Sequence, residues 1–171
     1  HARILAFEAS VCGEIPVLDV VRHMPSNQDV QGVLAIANGT SNYLLTHMAA
    51  GQPYEEVLAN AQRAGFAEAD PYFDVSGADA SQKLALLSSL IFHCWVPWGE
   101  IRRQGLEELL PVDFASARRF QCAIRPLSCC RRSADGLELW TSPALVPLDH
   151  PLASVRQETN AVALQLAGRD E

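Results

Sequence analysis

The periodicity of this chain changes at residue 121, and that change limits the folds open to it. Upstream, apolar side chains recur at helical spacing through several separate stretches; downstream they alternate, as half-buried strands do. Helices first and strands afterwards predict an α+β fold, a mixed β-sheet covered by helices on one side. The 171 residues suit one lobe with a single core.

Turn chemistry places the elements. A strand end is expected over residues 4–7, and Pro16 suits the first turn of a helix carrying Val17, Leu18, Val20 and Val21 inward. The apolar run 30–37 reads as a strand. Asn38-Gly39-Thr40 then makes a tight turn into a helix capped by Thr40 or Ser41 and stopped at Gly51. Pro53 opens the next helix, with Tyr54, Val57, Leu58, Ala61 and Ala64 on its inner face and Gly65 as its stop. Residues 66–78 read as an acid-rich loop. A long helix follows over 79–92, striped by Ala80, Leu84, Leu87, Leu90 and Ile91, with Trp95 and Trp98 packed under its end. Residues 101–114 are amphipathic and 115–120 a short helical turn. Strands are expected over 122–127, 129–132, 137–141 and 160–166; Asp135-Gly136 signals a hairpin, and prolines mark a crossing over 143–151.

Charge and cysteine usage narrow the function classes. Thirteen basic against twenty acidic side chains give a net charge of −7, which argues against nucleic acid and anionic membrane, since phosphate backbones need clustered Lys and Arg. No run approaches the roughly 18 apolar residues of a membrane span. Cys12, Cys94, Cys122, Cys129 and Cys130 are odd in number and form no CxxC pair. They read as reduced thiols of a cytoplasmic protein rather than disulfides or structural zinc ligands. A first residue His1, with no methionine, is expected of a fragment or a processed product.

Chemistry concentrates between Gly65 and Lys83. Glu68, Asp70, Asp74 and Asp79 lie there with Lys83, the only lysine of the chain. Asp79 and Lys83 stand four apart on the predicted helix and share a face. Alone, such a pair is a surface ion pair worth a few tenths of a kcal/mol. Two features favour a site: Lys83 borders the apolar stripe, and the preceding loop brings Glu68 and Asp74 to the same helix end. Carboxylates around an ammonium suit a substrate with its own ammonium and a hydroxyl, and a lysine so placed can exchange a proton with that hydroxyl.

These residues carry a resemblance. Gly65-Phe66-Ala67-Glu68-Ala69-Asp70-Pro71, then Asp74-Val75-Ser76-Gly77-Ala78-Asp79-Ala80 and Lys83-Leu84, resembles the signature of the homoserine dehydrogenase family. Phe7-Glu8-Ala9-Ser10-Val11 with Gly13 and Ile15-Pro16, Asn38-Gly39-Thr40-Ser41-Asn42-Tyr43, and the tail Pro147 to Leu152 with Asn160-Ala161 are similar to further blocks of it. The resemblance implies NAD(P)-dependent interconversion of L-aspartate 4-semialdehyde and L-homoserine, in threonine and methionine biosynthesis. It makes Lys83 the general acid/base, Asp79 the acid that orients it and shares the proton relay, and Glu68 the group that holds the substrate's amine. Asp74, Gly39 and Thr40 complete the substrate shell. Glu8, with carbonyls of Val11, Gly13 and Ile15, corresponds to a monovalent-cation site (Na or K) of oxygen ligands. Residues 1–15 would be the hinge from a nucleotide-binding half, 16–120 the substrate-binding region, and 121–171 a sheet forming a homodimer, with the hairpin 121–141 as its contact.

Two departures stand out. The family's glycine run reads here as Cys12-Gly13-Glu14, so a positive φ at Cys12 or Glu14 would cost about 1 kcal/mol. No GxGxxG turn follows a strand, so the dinucleotide is expected to bind outside this sequence. The residues alone also leave open a stand-alone amino-acid-binding or dimerisation module, and a cofactor-free enzyme using Lys83 and Asp79 on a small carbonyl compound.

Overall fold

The computed structural model describes residues 7–13, 15–24 and 29–167. The expected strand end over 4–7 thus lies outside the described residues, except for Phe7. The helices are α1 (Val17–His23), α2 (Gly39–Ala49), α3 (Tyr54–Ala64), α4 (Tyr72–Val75), α5 (Ala78–Phe92) and α6 (Pro111–Arg119). The strands are β1 (Val30–Ile36), β2 (Arg102–Arg103), β3 (Cys122–Ser133), β4 (Gly136–Pro147) and β5 (Ala161–Leu166). Short 3₁₀ turns lie at Glu8–Ser10, Trp98–Glu100 and Pro151–Ser154.

The strands form one sheet in the order β2-β4-β3-β1-β5. All pairs are antiparallel except β2 with β4, which makes the sheet mixed. β1 is central: Leu34 faces Cys129 of β3 on one side and Ala163 of β5 on the other. Strand alternation then sorts the side chains to two faces. On one, Val33, Cys130 and Leu164 pack with Leu84 and Ile91 of α5, and Ala35 and Val162 with Leu87. Ile124 joins the same layer through α2, α3 and α6. On the other, Leu34, Ile36, Leu127, Trp140 and Val146 cluster with Leu152 and Ala153 of the 3₁₀ turn, and no residue of α1–α6 takes part. The sheet is therefore covered by helices on one side, as its periodicity predicted.

Local chemistry explains most boundaries. Gly65 takes φ of +80° directly after α3, and Gly51 takes +93° one residue beyond the Ala50 that ends α2, where a side chain would be strained. The hairpin turns through Ala134 and Asp135, with Ser133 opposite Gly136.

Several details differ from expectation. Val20 is 51% exposed, since α1 presents only Val17, Leu18 and Val21 to the core. The loop 66–78 contains the short helix α4, opened by Pro71. The helical turn expected over 115–120 begins earlier, because Pro111 fits the first turn of α6. β3 is one strand rather than two. β4 runs through the expected crossing: Pro143 sits opposite Pro126, so both missing donors fall on one rung. Trp95 is 87% exposed instead of packed, and the ring of Trp98 lies under the Arg103 guanidinium.

Besides the pairing of β1 with β3 and β5, a loop contact joins the two halves of the chain. Residues 157–159 lie along α2: Asn42 Nδ2 donates to Thr159 O (3.1 Å), and Gln157 N donates to Thr46 Oγ1 (3.1 Å). A Cβ on Gly39 would come within 2.6 Å of Glu158 O. Gly39→Ala should therefore cost about 1–3 kcal/mol in urea unfolding. Gly99→Ala, whose methyl meets nothing within 4 Å, serves as the control. Equal stability of the two variants would show that 157–159 gives way freely.

Candidate functional site

The site forms where β1 ends and α2 and α5 begin. Lys83 Nζ lies 2.7 Å from Asp79 Oδ2, one turn back on α5, and donates to Ala37 O (3.0 Å) just beyond β1. Their side chains are 22% and 29% exposed, so the pair is neither solvated nor sealed, unlike an ordinary surface pair. α5 starts at this point because Gly77, at φ +75°, turns the chain out of α4.

Asn38 organises the opposite side. It is buried, and its amide nitrogen donates to Asp74 Oδ1 (2.7 Å) and Asp79 Oδ2 (2.8 Å). Its Oδ1 accepts from Ser41 N (2.7 Å), so Asn38, rather than Thr40 or Ser41, caps α2. Ser41 Oγ instead donates to the main-chain oxygen of Asp74 (2.9 Å). Burial pushes the Asp74 carboxyl above the usual carboxylate range, the nearby charges of Asp79 and Glu68 add to the rise, and the Asn38 hydrogen bond and Lys83 oppose it.

The other expected residues are brought near in different ways. Thr40 Oγ1 donates to Phe66 O (2.6 Å), which ties the start of α2 to the loop carrying Glu68. Gln62 Nε2 fixes that loop through Glu68 O (3.0 Å) and Ala69 O (3.3 Å), leaving the exposed Glu68 side chain to act through its charge. Gly39 allows the close approach of Glu158. Three acidic side chains, Glu68, Asp74 and Asp79, thus gather around the one amine of Lys83.

Glu8 lies beneath α1. Its Oε1 accepts from Leu18 N (2.9 Å), and Oε2 stands 4.0 Å from Arg22 Nη1. Cys12 and Gly13 follow with φ of +57° and +59°. The non-glycine residue at position 12 thus adopts the left-handed geometry that the sequence made costly; Glu14 lies outside the described residues. Burial pushes the Cys12 thiol up to about 11, and that thiol also feels Lys83 and Asp79, so this loop neighbours the site. Among the described residues, no group of three or more His, Cys, Asp or Glu could hold a metal ion.

Asn38 and Ser41 are the residues that sequence reasoning missed. A signal existed: an Asn before a helix uses its oxygen as the cap, and its two amide hydrogens then need acceptors.

Residues 16–169 match the family model described as homoserine dehydrogenase. The homoserine dehydrogenase of Mycobacterium leprae is 43% identical over 173 residues, covering 96% of this chain and 39% of its own length. That of Bacillus subtilis is 38% identical over 157 residues, covering 91% and 36%. A solved homoserine dehydrogenase from Thiobacillus denitrificans superposes with a TM-score of 0.91 at 35% identity, covering 95% of this chain and 38% of that one. One from S. aureus gives 0.79 at 31% identity, covering 82% and 37%. The chain spans about two fifths of the length of the curated relatives it matches.

Two stability measurements check the geometry. Asn38→Ala removes a cap and the donor shared by two carboxylates, and should cost about 1–3 kcal/mol. The folded pKa of Asp74 lies above the ordinary carboxylate range, so the fold holds that proton more tightly than the unfolded chain, and ionising it costs stability as pH rises. Asp74→Asn should therefore be more stable than the parent at neutral pH, with the gain closing as pH falls through the acid range. A gain that is independent of pH in urea titrations would clear the carboxylate of that cost.

Proposed function

Because the chain belongs to the homoserine dehydrogenase family, we propose that it is the substrate-binding and catalytic part of an NAD(P)-dependent oxidoreductase interconverting L-homoserine and L-aspartate 4-semialdehyde. The observation that carries this reading is the placement of Lys83. As an ammonium it has three N–H bonds, and Asp79 and Ala37 O take two of them. The third is left for a substrate oxygen at the half-open mouth of the cluster.

In the reductive direction, Lys83 gives that proton to the aldehyde oxygen as it becomes a hydroxyl; in the oxidative direction it takes the proton back. Asp79 holds the amine in place and shares the proton's passage towards solvent. Glu68 and Asp74 draw in the substrate's ammonium, and Gly39 and Thr40 border it at the start of α2. No glycine-rich turn of the dinucleotide-binding type follows a strand in this sequence. A nicotinamide bound beside Lys83 would supply or remove the hydride.

Glu8 and the carbonyls of Val11, Gly13 and Ile15 offer oxygen alone, which fits a hard monovalent cation such as Na⁺ or K⁺. The Leu18 N–H and Arg22 already answer part of the Glu8 charge, so that ion would be held weakly. Residues 1–15 then act as a hinge, 16–120 bind substrate and 121–171 form the dimerising sheet. For the homodimer, the contact is the helix-free face of the sheet around Leu34, Trp140 and Ala163, a broader surface than the hairpin alone. No helix among the described residues is long and apolar enough to cross a membrane, and the five free cysteines suit the cytoplasm.

In the full-length enzyme, Lys83→Ala should lower kcat by about 10²–10⁴-fold with the melting temperature and circular dichroism unchanged. Lys83→Arg should not rescue it, because a guanidinium does not give up its proton. Homoserine oxidation by Lys83→Ala within a few-fold of the parent would remove Lys83 from the chemistry.

A further inference from the structure

A cleft of about 270 Å³ opens at the far end of α2 from Asn38, between α2, α6, the start of β3 and the segment before β5. Arg118, Arg125 and Arg156 line it, and no carboxylate does. Among the described residues, none of these three guanidiniums has a carboxylate within 4.0 Å, although the chain carries twenty acidic side chains.

Arg125 is the informative member, for it is only 4% exposed. Its Nε and Nη2 donate to Ala153 O (3.2 and 2.7 Å), and Nη1 donates to Ile124 O (3.1 Å). Three of its five N–H bonds are thereby used. One remains on each terminal nitrogen, the pair that grips a carboxylate or phosphate at two points. Burial lowers the pKa of Arg125, and the charge that adds to this effect is another cation, Arg156. Arg118 Nη1 donates to Ala49 O at the end of α2 (3.0 Å), but a helix C-terminus offers only about half a negative charge against three guanidiniums. A buried cation without a counterion is costly, and an incoming anion removes that cost.

We propose that this cleft binds a small anion, a phosphate- or carboxylate-bearing metabolite. Arg125 grips the anionic group, Arg118 and Arg156 draw it in from the exposed rim, and a short apolar body lies against Phe114 and Leu148. The volume is below that of pockets for drug-sized ligands, which sets the class. Nothing in the site depends on Lys83 or its acids, so the reading of the catalytic cluster and this one fail separately.

The test is calorimetry on the full-length protein with inorganic phosphate and, separately, succinate. One anion should bind per chain, and the tighter of the two tells phosphate recognition from carboxylate recognition. Arg156→Ala and Arg118→Ala, both at exposed positions, should each weaken binding by about tenfold with the fold intact. Arg125→Lys keeps the charge but loses the two-point grip, and should weaken it further. Lys83→Ala should bind as the parent does. Absence of binding in the parent, binding indifferent to both rim variants, or binding lost in Lys83→Ala would overturn the proposal. So would binding seen only in dissociated monomer, which would give the cleft to a carboxylate of a second copy.

Discussion

One amide nitrogen holds this site together. Asp74 and Asp79 come from helices on either side of Gly77, and both point at Asn38. Two carboxylates drawn towards each other repel, and burial sharpens that repulsion. Asn38 offers each of them a hydrogen while its oxygen closes the first turn of α2. Few side chains could do both. An aspartate would cap the helix but add a third negative charge, and a serine has one hydrogen to share between two acceptors. With the acids fixed, Asp79 has a defined face to offer Lys83, and Ala37 O fixes the amine from the other side.

What could be read from the sequence follows from this arrangement. Asp79 and Lys83 were legible because helical spacing alone puts residues four apart on one face. Gly51 and Gly65 were legible because a left-handed stop needs glycine. The capping role of Asn38 had a local signal, but the acceptors of its amide did not, since they lie 36 and 41 residues away and nothing local names them. The full length of β4 was hidden by Pro143 and Pro147, which argue against a strand until the partner strand is known. Trp95 was misread for a related reason: an aromatic beside a helix end is usually packed, and only tertiary structure shows that this one faces out.

The loop at Cys12 shows a rule of local chemistry broken beside the site. Its backbone takes a conformation that favours glycine, yet carries a buried thiol. The surrounding structure must compensate, and its means are visible. Val11, Val17, Leu18 and Leu87 enclose the side chain, so the burial of Cys12 offsets part of the backbone strain. Because burial also keeps the thiol protonated, the substitution adds no charge next to Lys83 and Asp79.

Helix α2 links these features through its polarity. Its N-terminus, where unpaired N–H groups carry partial positive charge, faces Asp74 and Asp79 through the Asn38 cap. Its C-terminus, where unpaired carbonyls carry partial negative charge, meets Arg118. Acids gather at one end and guanidiniums at the other, each at the end whose sign suits it. The eleven residues of α2 separate the two groups by about 16 Å. A chain with an excess of acid can thus keep a cationic cleft and an anionic one on the same helix. Leu44, Leu45 and Met48 hold that helix in the core beside Ile124 of β3, and the approach of residues 157–159 to its first turn is possible because position 39 is a glycine.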